Sequence, residues 1–287
     1  MQKLRNGFSL GHVGQFVIAL MLLVLPLGAL SSCAVNGSQT DTATQAVTAT
    51  LPPALAAYEF GEGSGRLVAD SSCNGHNGVI NGARWVTPSP FTTPDLDFGF
   101  ALNFRTGRKD SVEIDNFGLN GATQATWSAW VLPVFNPPGG QHGHIISKSG
   151  SFNLKTSTAV GGDPTQPHFA CELLLDNGGS IQQNSVSFRH LGEMVHVACV
   201  YNGELGVLDI YVNGQKDNGV LTGTTTDIPT QLRSSCTPTN VGRADEGYEF
   251  WGVIDNVRLY LYDLALEQVQ LDMLTPVGPP DCTVTTN

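Results

Sequence analysis

Short apolar or alternating runs, each closed off by Gly, Pro, Asn or Asp, constrain this chain more than any other feature. "ALAAYEF", "ALNF", "SVEID", "TWSAWVLPV", "HIISK", "FNLKT", "FACELLLD", "VSFRH", "VHVACVYN", "VLDIYVNG" and "GVIDNVRLY" each have the length and residue types of a β-strand. The 3.6-residue period of a helix is almost absent. It surfaces only in "LALEQVQLDM" near the end, where Leu264, Val269 and Leu271 are spaced to pack back on the rest. "NGE" after "VY" and "NGQ" after "IYV" are tight-turn signals. Strands without intervening helices bury their apolar faces against another sheet, with edges managed by Greek-key or jelly-roll connections. The expected fold is therefore all-β: a two-sheet antiparallel jelly-roll β-sandwich with a short C-terminal helix.

The first residues do not share this pattern. Lys3 and Arg5 precede an apolar run from Phe16 to Leu30, broken only by Pro26 and Gly28 and too interrupted to read as a membrane span. The run ends in "LSSC", which resembles a bacterial lipobox, where a small residue precedes a cysteine that receives a diacylglyceryl group. Residues 1–32 are thus expected to be a lipoprotein signal peptide and Cys33 the lipidated residue. The alternative is ordinary cleavage near Ser31 or Ser32, leaving Cys33 for a disulfide. Ala34 rather than aspartate follows, which favours the outer membrane or cell surface. The rest of residues 33–54 is Thr-, Ala-, Ser- and Gln-rich without apolar period, the composition of a solvated tether. Residues 55–274 are then one domain, and 275–287 a tail.

The formal charge is −11, and losing Lys3 and Arg5 makes it more negative. An acidic chain with no basic cluster argues against nucleic acid and against anionic membrane surfaces, leaving the lipid anchor as the expected membrane contact. Of six cysteines, lipidation of Cys33 leaves Cys73, Cys171, Cys199, Cys236 and Cys282, an odd number with no zinc-like spacing. Cys171 and Cys199 lie on strand-like runs and can pair if neighbouring, or can be separate small core residues.

One strand carries a residue out of pattern. Alternation along "GVIDNVRLY" puts Asp255 in a row with Val253, Val257 and Leu259, and Ile254, Asn256, Arg258 and Tyr260 on the other face. A carboxylate among core residues must be protonated, hydrogen-bonded or bound to a cation.

The order of the pieces resembles a laminin-G-like domain of the concanavalin A-like superfamily. The resemblance runs through "AAYEFGEGSGRLVADSSCNGHNGVINGARWV", "FGFALNFRTGRKDSVEI", "TWSAWVLP", "HIISKSGSFNLKT", "MVHVACVYNGELGVLDIYVNGQ" and "VGRADEGYEFWGVIDNVRLYLYDLAL". It implies a structural calcium ion where the first loop meets the last strand. Asp255 is then a ligand, and Asp70, Asn74, Asn77 and Glu59 supply the oxygen chemistry that calcium takes. The alternative is a metal-free network in which Asp255 accepts hydrogen bonds from the loop amides. Two departures are visible: Cys73 replaces a glycine, suggesting a disulfide at that turn, and Ala265 stands where a serine N-cap is usual.

The superfamily also includes glycoside hydrolases, whose strand motif places two glutamates and an aspartate as E-x-D-x-x-E. Here "EIDNFG" offers Glu113 and Asp115, but the third acid position is Gly118. His142 and His144 flank a glycine in a Gly-rich stretch with no third metal ligand nearby. Trp127 and Trp130 cannot share a strand face. Tyr248, Phe250 and Trp251 form the aromatic cluster most apt to stack on a sugar, with Arg243, Asp245 and Glu246 beside it; at least one of these rings is expected in the core. Tyr248, Trp251 and Arg243 are the expected ligand-binding residues. The function implied is non-catalytic binding of an extracellular glycan, with adhesion to a surface protein as the alternative and a glycosidase third.

Overall fold

The computed structural model describes residues 49–282 except 88, 92–97, 106, 135–142, 159–166, 189–190, 224–228 and 246, and leaves out the side chains of Thr158, Pro167 and Phe188. The expected signal peptide, Cys33, most of the tether, His142 and Glu246 lie outside the described residues.

Seventeen strands and one helix form among these residues. In chain order they begin with β1 Ala56–Tyr58, β2 Leu67–Val68, β3 Gly78–Asn81, β4 Arg84–Val86, β5 Ala101–Phe104 and β6 Ser111–Ile114. Then follow β7 Gln124–Pro133, β8 His144–Lys148, β9 Phe152–Thr158, β10 Pro167–Leu174, β11 Ser180–Phe188 and β12 Val195–Asn202. The last are β13 Val207–Val212, β14 Gln215–Lys216, β15 Asn218–Gly223, β16 Thr239–Val241 and β17 Gly252–Tyr260, before α1 Leu266–Leu274. The first sheet has the order β14-β13-β12-β7-β17-β5-β4, with β1 also on β17; the second has β15-β11-β10-β9-β8-β16-β6-β3-β2. Both are antiparallel, so the expected all-β sandwich with a C-terminal helix is the fold observed.

The core lies between the sheets. Trp127, Ile254 and Tyr201 of the first sheet meet Phe152, Leu154 and Phe169 of the second, all buried. Cys171 of β10 is disulfide-bonded to Cys199 of β12, so a covalent link crosses this core. Trp130 points to the opposite face from Trp127, packing on Phe91 and Phe98, as their spacing requires.

Strand β17 is buried along its whole length. Its register against β7 shifts between Asp255 and Arg258, and Asn256 there adopts φ +47°. This bulge changes the phase of alternation. Ile254, Val257 and Leu259 face the main core, whereas Val253 packs with Phe91 and Phe98 on the other side. Asp255 therefore does not share a face with Val257 and Leu259, as simple alternation predicted.

Helix α1 packs on that outer side through Val269 and Asp272, with Leu264 just ahead of it also buried and Leu271 only partly so. Ala265 supplies no cap, but its N–H donates to Gln268 Oε1 at 3.0 Å. Asp272 is enclosed by Ser128 and Tyr260, both donating at 2.7 Å, by His196 Nε2 at 3.2 Å and by Arg258 at 3.3 Å. Residues just before β1, which composition assigns to the tether, already pack on the domain. Leu51 and Ala54 lie against the cluster containing Tyr260 and Val269, and Leu55 N–H donates to Leu259 O. At the other terminus the tail is fixed, because Val277 is buried and Cys282 is disulfide-bonded to Cys73.

Candidate functional site

The outer face of the second sheet carries an uninterrupted polar row. Register places Glu113, Asn240, Ser147, Asn153, Glu172, Gln182 and Thr222 opposite one another on β6, β16, β8, β9, β10, β11 and β15. Their neighbours along the strands, among them Val112, Val241, Ile146, Leu154, Cys171 and Ile181, face the core. Period-two alternation then sends the polar set the other way. In the adjoining row His144 lies opposite Lys155, and Ala170 opposite Asn184.

Near the middle, Lys155 Nζ is 2.5 Å from Glu172 Oε2, and Asn153 Nδ2 donates to the same oxygen at 3.0 Å. Burial pushes the Glu172 carboxyl up, but Lys155, the bond from Asn153 and nearby His144 together hold it below its ordinary value. With its amide nitrogen turned to Glu172, Asn153 leaves Oδ1 as a buried acceptor with no hydrogen-bond partner among the described residues.

The segment after β16 crosses this row. Ser147 Oγ donates to Arg243 O at 2.8 Å, Asn240 Nδ2 donates to Asp245 Oδ1 at 2.7 Å, and His144 N–H donates to Tyr248 O at 2.9 Å. The Tyr248 ring stacks on His144 with centroids 5.5 Å apart and stays 47% exposed. Glu249 pins the segment from the far side, its carboxylate accepting from the backbone N–H groups of Gly107 and Lys109. Phe250 enters the core, fulfilling the expectation that one ring of the cluster would. Trp251 is half-buried. The Arg243 guanidinium donates to Ala244 O and Asp245 O, so it braces its own loop. Of the three expected ligand-binding residues, Tyr248 alone is an exposed platform.

The residues expected around calcium do not come together as one cage. Asp70 Oδ1 accepts from Ala57 N–H and Ser72 N–H, and Oδ2 from His76 N–H, each at 3.0 Å. Asn77 Oδ1 accepts from Asp70 N–H, and Asn74 Nδ2 donates to Ala54 O and Leu55 O. Asp255 is elsewhere: Ser89 Oγ donates to it at 2.8 Å, and Asn256 through N at 2.8 Å and Nδ2 at 3.1 Å. Among the described residues no three His, Cys, Asp or Glu converge as an ion site. The donor set as a whole fits two separate hydrogen-bond hubs better than one ion. The link expected from Asp255 to the first loop is made by Asp70 instead, which ties that loop to β1. Burial pushes the Asp255 carboxyl well above the usual carboxylate range, and the Glu59 charge adds to it. Burial likewise raises Glu59, with Glu62 contributing.

A glycosidase pair is not formed by the carboxylates of the polar row. Glu113 and Glu172 are separated by β16, β8 and β9, about 19 Å at the usual interstrand spacing, against about 5–10 Å for such pairs. Asp115 stands just beyond β6. The polar row itself escaped sequence reading: alternation in "FNLKT" marks Asn153 and Lys155 as sharing a face, but only the strand register brings Glu172 beside them.

A laminin-G-type family model described as the concanavalin A-like lectin/glucanases superfamily matches residues 106–270. No curated protein matches. Among solved structures, domain 4 of the GH43 arabinanase of Geobacillus stearothermophilus, in complex with arabinotriose, is similar at 18% identity and TM-score 0.50, covering 77% of this chain and 97% of that one. The ligand-binding domain of botulinum neurotoxin serotype D, in complex with N-acetylneuraminic acid, is similar at 14% identity and TM-score 0.51, over 77% of this chain and 50% of that one. The binding domain of Paraclostridial Mosquitocidal Protein 1 follows at 15% and 0.51, over 72% and 49%. The chain thus spans about half the length of these toxin domains and nearly all of the arabinanase domain.

Proposed function

This chain belongs to the concanavalin A-like lectin/glucanases superfamily, and on that premise we propose that it is a non-catalytic module that binds an extracellular glycan on the outer face of its second sheet. The observation that carries the reading is the polar row running past an exposed, pinned Tyr248, which stacks on His144 in the adjoining row. Sugar rings stack on aromatic faces while their hydroxyls need both donors and acceptors. Lys155 and Glu172 offer both. Two structural neighbours were solved with a saccharide bound, which supports the same class of ligand. Attachment to the outer membrane or cell surface through lipid on Cys33 belongs to this proposal, resting on "LSSC"; incorporation of labelled fatty acid by the parent, and its loss in Cys33→Ser, tests it.

A glycan-array screen of the full chain and its Tyr248→Ala variant tests the binding. The expected outcome is recognition of a defined sugar class, weakened about tenfold or more in the variant at unchanged melting temperature, the scale of a lost stacking contact with its hydrogen-bond geometry. A folded chain that binds no glycan refutes it. A protein partner is the second reading, favoured by Val186, Val220 and Leu221, each more than half exposed on β11 and the edge strand β15.

A further inference from the structure

Toward the other end of β17 lies a cavity of about 390 Å³, lined by Arg258 with Ser71, Ser72, Pro53, Val277 and Asp281. Gly252, on the Tyr248 side, and Arg258 are six strand residues apart, about 20 Å, so the cavity is separate from the polar row. One wall is the 276–281 strap, held to the first loop by the Cys73–Cys282 disulfide.

Arg258 is 6% exposed. Its Nη1 donates to Asp272 O at 3.0 Å and Asp272 Oδ1 at 3.3 Å, and its Nη2 to Thr275 O. Its Nε–H donates to none of the described residues. Beside it, Ser71 Oγ is buried with no hydrogen-bond partner among the described residues, and a serine hydroxyl reorients about a single bond. The Arg258 Nε–H can only donate and the Ser71 hydroxyl can turn to donate beside it, so the pair suits a ligand that accepts. Charge narrows the class: Asp272 already balances Arg258, Asp281 stands at the cavity, and the chain is acidic throughout. A dianion such as a phosphate monoester is disfavoured there relative to a single carboxylate. Pro53, Pro276, Pro279 and Val277 give apolar walls for a carbon skeleton, and the volume is in the range of small-molecule sites.

We propose that this cavity binds a small monocarboxylate ligand, its carboxylate on Arg258 and Ser71 and its skeleton against the prolines. A sugar acid and a simple organic acid share this chemistry. Calorimetric titration of the full chain with glucuronate, glucose and acetate separates them. Two variants spare the Arg258–Asp272 pair. Ser71→Ala removes only the unpartnered hydroxyl. Gly278→Phe extends from a position where an added Cβ meets nothing within 4 Å. Glucuronate binding without glucose binding is expected, weakened about tenfold by Ser71→Ala and abolished by Gly278→Phe. Acetate binding as well assigns recognition to the carboxylate alone, and its absence assigns it to the sugar acid; either supports the site. Glucose binding as tightly as glucuronate, neither acid binding the folded chain, or both variants binding like the parent overturns it.

Discussion

Burial makes Asp255 keep its proton to a higher pH than an exposed aspartate, against the opposing pull of the hydrogen bonds from the Ser89 hydroxyl and the Asn256 amides, and among the described residues no cation bonds it. Its folded pKa is raised, so the folded state holds the proton where the unfolded chain, near pKa 3.9, has released it. Stability from this group is full below about pH 4 and declines as pH rises through the folded value. Asp255→Asn keeps the acceptor for Asn256 and removes the buried charge. It is expected to match the parent near pH 4 and to melt at higher temperature at pH 8; a parent-like pH profile contradicts this account. Calcium gives the opposite sign in the same experiment: if the ion binds Asp255 with Glu59, added calcium raises the melting temperature of the parent and not of the variant. Sequence marked Asp255 as out of place but gave no sign that Ser89 and Asn256 would be its hydrogen-bond partners. Its register depends on Asn256 in the left-handed region, which Asn tolerates better than most residues but which alternation does not reveal.

Helix α1 is joined to the first sheet by a buried polar hub more than by an apolar stripe. Burial alone pushes the Asp272 carboxyl up, but Arg258 first, then His196 and Ser128, bring it well below the ordinary range. A depressed folded pKa stabilises above the unfolded value, near pH 4, and that contribution fades as pH falls below it toward the folded one. Asp272→Ala leaves Arg258 buried without its counter-ion and is expected to cost about 3–5 kcal/mol in urea unfolding at pH 7. Asp272→Asn costs less and flattens the acid limb. A loss under 1 kcal/mol for the alanine variant argues against the hub as the main attachment. The helix was legible in "LALEQVQLDM", but Asp272 was not. Its partners Ser128, His196 and Arg258 come from β7, β12 and β17, strands distant in sequence, and an apolar-face search passes over an acid.

At the scale of the whole chain, the two disulfides act on very different loops. Cys73–Cys282 closes 209 residues and Cys171–Cys199 only 28; the chain-entropy model assigns them about 5 and about 3.5 kcal/mol. Cys73→Ser with Cys282→Ser is accordingly expected to lower stability more than the Cys171/Cys199 double serine variant, apart from packing losses in the core. Equal denaturation midpoints under reducing and non-reducing conditions would refute both. The sandwich was legible because many weak strand signals occurred in one order. The pairing of cysteines was not, since it depends on which strands of opposite sheets face each other. Only Cys73 gave a local hint, by standing where a glycine was expected, and Cys236 is the free, exposed thiol among the described residues.

The residues before β1 and the strap after α1 meet around Arg258, whereas Tyr248 lies beyond the opposite end of β17. Within residues 49–282 this makes a handle and a display pole. Anything joined through either end of residues 49–282 takes hold at the handle. A fluorophore, a bead or a neighbouring domain attached there leaves the tyrosine pole clear, and a dense layer of molecules held this way presents its aromatic platforms in one direction.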